Sequence, residues 1–505
     1  MALAQVLTRG QLGMDAPEIR VEVHLGGGLP SFTLVGLPEA SVRESRERVR
    51  AALSSGGFQF PARRITVNLA PAELPKQGGR FDLAIALGIL CASGQLPQTC
   101  ADNREFFGEL SLSGEIMPCA GLLPSALAAK RARHQMVVPE RGSDELQLVP
   151  GLDAVTAPTL PLLIASLLGQ RTFTRVTPSS VRQPDADSDR DLGEVIGQQQ
   201  GKLALMIAAA GGHNLLLMGP PGTGKTMLAS RLCDLLPPLE VDAALEVAAI
   251  HSVAGLPRAP SRLLQRPFRA PHHSSSAASL VGGGSQPKPG EISLAHHGVL
   301  FLDELPEFPR SVLDSLREPL ESGEVVISRA AAKLTYPARF QLIAAMNPSP
   351  CGDTGPHSRS TPEQIRRYLG RLSGPFLDRF DLTVEVARLA PGELTRQPLQ
   401  GVTTEQARAR VIAARTRALS RQGTLNARLP ASALAGEVGI VPEAAAFAEQ
   451  GLNRLGLSIR AYHRILRVSR TLADLEGGGT VTRAHVAQAF GFRAMDKLMA
   501  RLRPL

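Results

Sequence analysis

Apolar and polar positions divide the chain into blocks of different rhythm. From residue 1 to 170, strand-like runs (EIRVEVHL, RITVNLAP, HQMVVP) alternate with helical ones. VRESRERVRAAL sets charged residues on one helical face and Val, Ala and Leu on the other, whereas FDLAIALGILCA is apolar almost all round and is expected to be buried. This predicts a mixed α/β domain over residues 1–170. Residues 171–190 (RTFTRVTPSSVRQPDADSDR) are rich in Ser, Pro and Asp and read as a linker. A second α/β block follows over 191–385. From 386 to 505 the pattern is helical: TTEQARARVIAARTRAL, PEAAAFAEQGLNRL and SIRAYHRILRVSRTLADLEG carry apolar residues at helical spacing, and Gly477–Gly479 stops the last. Internal repeats and heptad runs are absent from the sequence.

Charge changes this picture. The net charge is +9, and residues 386–505 hold 18 Lys and Arg against 8 Asp and Glu, so the rest of the chain is about neutral. A basic block at one end suggests a polyanionic partner such as nucleic acid, although solvated helix faces also give such counts. With no Trp and three Tyr, a surface built on aromatic base-stacking is disfavoured. No apolar run reaches the ~20 residues that span a bilayer, and the start of the chain lacks a signal pattern, so a cytoplasmic protein without membrane attachment is expected. Five scattered cysteines without CxxC spacing point to reduced thiols.

The chemistry is concentrated in the second block. In NLLLMGPPGTGKTMLASRLCDLL an apolar strand runs into Gly219-Pro220-Pro221-Gly222-Thr223-Gly224-Lys225-Thr226 and then a helix, the P-loop pattern in its strand–loop–helix context. Backbone N–H groups of such a loop curl round phosphate oxygens. Lys225 is expected on the β- and γ-phosphates and Thr226 Oγ on Mg²⁺. GVLFLDELPEF ends a buried strand in Asp303 and Glu304, one carboxylate for the Mg²⁺ shell and one to polarise the attacking water. Together the two motifs predict nucleoside triphosphate hydrolysis. FQLIAAMN delivers Asn347 to the same sheet edge, either to orient water or γ-phosphate or merely to end a strand in a turn. TPEQIRRYLGRLSG has a capped helix start and leads to LDRFD, where Arg379 lies between two aspartates that could simply pair with it.

In this order these motifs resemble the AAA+ ATPases. The resemblance makes Arg379 an arginine finger that completes a neighbouring subunit's site, and Arg460 of Ser458-Ile459-Arg460 a second sensor contacting nucleotide in its own subunit. It also implies a ring, usually a hexamer. RPFRAPHHSSSAASLVGGGSQPKPGEISLAHHGVLFLDE, IAAMNPSPCG and RLSGPFLDRFDL narrow it to the magnesium-chelatase-like branch and, more closely, the YifB/ComM-type competence proteins. GLPSFTLVGLPEASVRESRERVRAAL and VNLAPAELPKQGGRFDLAIALGIL are similar to that family's Lon-protease-like N-terminal domain. The implied fold is therefore an AAA+ P-loop NTPase core with a helical C-terminal lid, preceded by a Lon-protease-like α/β domain. The implied work is ATP- and Mg²⁺-dependent branch migration of DNA, single-stranded or branched, during recombination of incoming DNA in natural transformation. The alternative is a magnesium-chelatase-like or protein-remodelling ATPase acting on a protein partner.

Four finer expectations follow. RAPHHSSSAASLVGGG is expected to project as a loop towards substrate, its adjacent His272 and His273 unsuited to a metal pair on a helix; His296 and His297 likewise read as structural or polar contacts. EVVISRAAAKLTYPARF reads as a hairpin with Arg329 and Lys333 near its tip, as DNA phosphate contacts or as plain surface charges. Zinc is not expected, because NPSPCGDTGPHSRSTPEQ keeps only Cys351 of the several cysteines many relatives carry there. Pro75-Lys76-Gln77-Gly78-Gly79-Arg80 stands where Lon-type proteases place their catalytic serine, so the first block lacks that nucleophile.

Overall fold

The computed structural model describes residues 2–177, 191–284, 287–329, 332–353, 358–389 and 401–502. In the first block, eight strands form one mixed sheet. From one edge to the other they are Thr174–Arg175, Ala154–Ala157, Gln135–Pro139, Arg104–Phe106, Ala2–Arg9, Glu18–Gly26, Arg64–Ala70 and Ser31–Val35. Helix Asp82–Ala92 is buried along nearly its whole length, as its all-apolar sequence requires. It packs so closely that a Cβ added at Gly88 would stand 2.5 Å from Val23 Cγ2. Thr174–Arg175, inside the segment read as a linker, pairs antiparallel with Ala154–Ala157 and so extends the sheet edge. Residues 178–190 of that segment lie outside the described residues.

The second block is built on five strands in the order Phe268–Arg269, Val299–Leu302, Gln341–Met346, Leu215–Met218 and Leu382–Glu385, and every neighbouring pair is parallel. Three of the inner runs, LLLM, VLFL and LIAAM, are wholly buried, as expected of strands covered on both faces. A parallel sheet gathers all its strand ends into two edges of opposite character. Ligands favour the carboxyl edge where the strand order switches, and here that is beside Leu215–Met218.

The C-terminal helices Thr404–Gln422, Pro442–Leu455 and Ile459–Leu475 follow the helical spacing of their sequences. They share one hydrophobic core with the sheet: Val411, Ile465 and Leu472 pack in the same cluster as Leu205, Leu217 and Ile343. A buried polar knot ties them together. Asp474, with no exposed surface, accepts from Arg421 at 2.8 and 3.0 Å, from Arg470 at 2.8 Å and from Asn426 at 2.9 Å. No helix among the described residues is long and apolar enough to cross a membrane.

Candidate nucleotide site

Strand Leu215–Met218 ends at Gly219, and helix Lys225–Ser230 begins after a loop in which Gly222 (φ 77°) and Gly224 (φ 87°) adopt left-handed backbone that only glycine takes without strain. Lys225 Nζ lies over this loop, donating to Gly219 O and Pro220 O at 2.8 Å each and to Asn347 Oδ1 at 3.2 Å. Burial lowers its pKa, while Asp303 nearby opposes that shift. The amide of Asn347 therefore reaches the P-loop lysine, as strand Gln341–Met346 running parallel to Leu215–Met218 dictates.

Thr226 Oγ1 donates to Asp303 Oδ2 at 2.7 Å. Two hard oxygen donors this far apart suit neighbouring corners of a Mg²⁺ octahedron, whose bonds of about 2.0–2.1 Å set adjacent ligands about 2.9 Å apart. The donor set thus fits the ion expected from the sequence, and Thr226 and Asp303 would hold it. Glu304 follows with φ 50°, a left-handed backbone that a non-glycine residue adopts at a cost. Its amide donates to Asp303 Oδ1 at 2.9 Å, and its Oε2 lies 3.0 Å from His273 Nδ1.

This last contact was not foreseen in RAPHHSSSAASLVGGG. The stretch is partly built into the fold rather than projecting as a loop. Phe268–Arg269 is the edge strand of the sheet, Arg269 binds Glu291 at 2.6 and 2.8 Å, and Leu280 of the short helix Ala277–Val281 is fully buried. Because the edge strand runs parallel to Val299–Leu302, the residues following each emerge together, which carries His273 to Glu304. The neighbouring imidazole of His272 lies against that of His273, with ring centroids 4.1 Å apart.

The second histidine pair is a structural tie. His296 and His297 both meet Glu246 Oε2 at 3.1 Å, close enough together to suggest a metal. However, the backbone amide of Arg339 donates to His296 Nδ1 at 3.0 Å. Nδ1 is thus the acceptor, and Nε2 carries the proton it donates to Glu246, so that nitrogen has no lone pair for a metal. Burial pushes the His296 pKa down to about 4, in keeping with a neutral ring.

Arg379 and Arg460 stand elsewhere. Arg379 precedes strand Leu382–Glu385, at the amino edge of the sheet, and pairs with Glu321. Its carbonyl accepts from Asn214 Nδ2 at 2.9 Å, just before the P-loop strand begins. Arg460, in the first turn of helix Ile459–Leu475, lines the same cavity as Asn214 and Arg379. Lys225 lies beyond the far end of that strand, and four strand residues alone span roughly 13 Å. Arg460 thus stands away from the P-loop lysine of its own chain. Packing of the C-terminal helices against the amino side of the sheet sets it with Arg379 instead.

Strands Glu324–Arg329 and Ala332–Pro337 form the expected hairpin, with Lys333 exposed. Ala330 and Ala331 at its turn lie outside the described residues, as does the side chain of Arg329.

Comparison with known proteins agrees with this arrangement. Family models match in three successive parts: subunit ChlI of Mg-chelatase over residues 21–142, magnesium chelatase subunit ChlI over 191–394, and the ChlI C-terminal region over 401–493. The competence protein ComM of Haemophilus influenzae is 51% identical over 99% of both chains. This chain belongs to the ComM/YifB family of magnesium-chelatase-like proteins. Within that family the YifB protein of Escherichia coli is 50% identical over the full length of both chains. The magnesium-chelatase 38 kDa subunit of Rhodobacter capsulatus is similar over a smaller region, 28% identical over 38% of this chain and 54% of its own.

Proposed function

We propose that this protein is a Mg²⁺-dependent ATPase that assembles into a ring, with six subunits expected, and moves along single-stranded or branched DNA during recombination of incoming DNA. The observation that carries this reading is the division of the nucleotide machinery between the two edges of one sheet. Lys225, Thr226, Asp303, Glu304 and Asn347 gather at the carboxyl edge, and Arg379 at the amino edge. A single chain cannot bring Arg379 to its own P-loop, so a complete site needs a second copy whose arginine faces the first copy's γ-phosphate.

Within one site, the P-loop amides and Lys225 would hold the phosphates, and bound Mg²⁺ would supply charge neutralisation on them. Glu304 would orient and deprotonate the attacking water. His273 Nδ1 lies 3.0 Å from that carboxylate, so the two would have to separate, or move together, for the water to be reached. DNA as the polymer is supported by the basic C-terminal block, by Lys333 on an exposed hairpin and by the name of the competence relative. The first block reads as a Lon-like domain that has lost proteolytic chemistry: Lys76 is buried, donating to the carbonyl of Pro71, and glycines follow it where a serine would be needed.

ATP turnover with single-stranded, duplex and four-way-junction DNA at two salt concentrations tests the proposal. Stimulation that weakens with salt and disappears in Lys225→Ala is expected. Turnover indifferent to every DNA at both salts would refute the DNA motor and favour a motor acting on a protein partner.

A further inference from the structure

The cavity that holds Arg379 and Arg460 carries more positive charge than those two residues account for. It encloses about 1000 Å³ between the amino edge of the sheet and the C-terminal helices, and eight arginines line it against three carboxylates. Each carboxylate already has a basic neighbour: Glu321 pairs with Arg379, Asp378 accepts from Arg464 at 2.9 Å, and Asp381 lies 3.4 Å from His213. Other arginines are engaged with carbonyls, Arg266 with Pro237 O at 2.8 Å and His297 O at 2.7 Å, Arg415 with Ala209 O at 2.6 Å and Arg467 with Leu429 O at 2.9 Å.

Three guanidinium groups remain. Among the described residues, the side chains of Arg339, Arg428 and Arg460 make no hydrogen bond or ion pair, and all three are exposed to the cavity. Their charges are felt by one another and by their neighbours. Burial and then Arg339 lower the pKa of Arg428, while burial followed by Arg266 and Arg428 lowers that of Arg415. Such mutual opposition is relieved by an anion, and planar guanidinium forks match phosphate oxygens in pairs.

Both supports are stiff. The amide of Arg339 donates to His296 Nδ1, its carbonyl accepts from His297 N at 2.7 Å, and its stem lies against Gly323. Arg428 ends the short helix Asn426–Arg428, whose Asn426 is bound into the Asp474 knot. A polyanion arriving here meets donors that are already positioned, so little ordering cost is incurred.

We propose that Arg339 and Arg428, together with Arg460, grip the polyphosphate of an ATP molecule carried on the P-loop of a second copy of this chain. The cavity is then the receiving half of a composite nucleotide site. This rests on the ring reading above and extends it, from one arginine finger to a set of residues that bind the neighbour's nucleotide. A nucleotide falls within the 300–1,000 Å³ range of ordinary ligand pockets.

The test is complementation between subunits. Arg339→Gln+Arg428→Gln protein, with Arg379 and Arg460 intact, is expected to raise KM for ATP by about tenfold or more, as loss of charge-assisted hydrogen bonds does. Mixed in equal amounts with Lys225→Ala protein, it should recover turnover with a KM near that of the unaltered protein. The Lys225→Ala subunits lack a working P-loop but present intact cavities to their neighbours. The Arg339→Lys+Arg428→Lys protein, which keeps both charges, should lose less affinity than the glutamine variant.

Arg379→Ala mixed with Lys225→Ala is the parallel measurement for the shared-site reading. Recovery there without recovery of the glutamine variant would overturn the roles of Arg339 and Arg428 while leaving the ring reading in place. Recovery in neither mixture would overturn both. An unchanged KM for ATP, with loss only of stimulation by single-stranded DNA, would make the cavity a DNA site and would also overturn the proposal.

Discussion

Glu145 lies where the first block meets helix Val241–Val253 of the second block, and its protonation should govern how firmly they dock. Ser252 Oγ donates to Glu145 Oε1 at 3.1 Å, and Oε2 is buried without a hydrogen-bond partner. The amides of Gly121 and Leu123 donate to Ser252 O at 2.8 Å and to Ser252 Oγ at 3.2 Å. Burial, opposed by the Ser252 hydroxyl and the Leu123 amide, raises the carboxyl pKa from 4.5 to about 7. A raised carboxyl pKa means that the docked state holds the proton more tightly than the undocked one. Docking is therefore unpenalised below about pH 4.5, weakens as pH rises from there to about 7, and stays weakened above. The shift corresponds to about 3 kcal/mol, roughly two decades in the docking equilibrium. Glu145→Gln removes the charge and keeps an acceptor for Ser252. Hydrogen exchange of the Gly121 and Leu123 amides, corrected for intrinsic rates, reads docking directly. At pH 8 the variant should be protected up to about 100-fold more than the unaltered protein, and at pH 4.5 the two should coincide. An offset independent of pH, or weaker protection of the variant at pH 8, would refute the reasoning.

Two further outcomes are expected. His273→Ala removes the imidazole that stands 3.0 Å from the Glu304 carboxylate and should raise DNA-independent ATP turnover by up to about fivefold, the worth of one partly exposed polar contact of at most about 1 kcal/mol; steady-state kinetics that show turnover falling would contradict a restraining role. Asp474→Ala leaves Arg421 and Arg470 without their shared carboxylate and should destabilise the fold by about 3–5 kcal/mol, seen as an earlier midpoint in chemical denaturation; an unchanged midpoint would show that the knot contributes little.

Much of the site was legible before any fold was known, because its signals are local. A run such as LLLM followed by a glycine loop and Lys225-Thr226 determines strand, turn and helix within a dozen residues, and the apolar run before Asp303 does the same for the acidic strand. Thr361 and Gln364 form the capping box their spacing implies, and the helical rhythm of residues 404–475 appears as helices Thr404–Gln422, Pro442–Leu455 and Ile459–Leu475. Two parallel strands then bring Asn347 to Lys225.

The tertiary structure decided which groups share a space when they belong to different motifs. His273 meets Glu304 only because Phe268–Arg269 takes the sheet edge beside Val299–Leu302. Arg460 lies on a helix whose start and periodicity are evident in the sequence, yet the side of the sheet it occupies depends on Ile465 and Leu472 joining a core with Leu217 and Ile343. Arg339 and Arg428 have no motif at all, and become a pair only where the hairpin's return and the C-terminal helices close one cavity. Backbone periodicity and turn chemistry act over a few residues, so one sequence suffices to read them. The meeting of distant apolar faces is settled by the packing of the whole core, and the separation of Arg379 and Arg460 from the P-loop of their own chain follows from that packing.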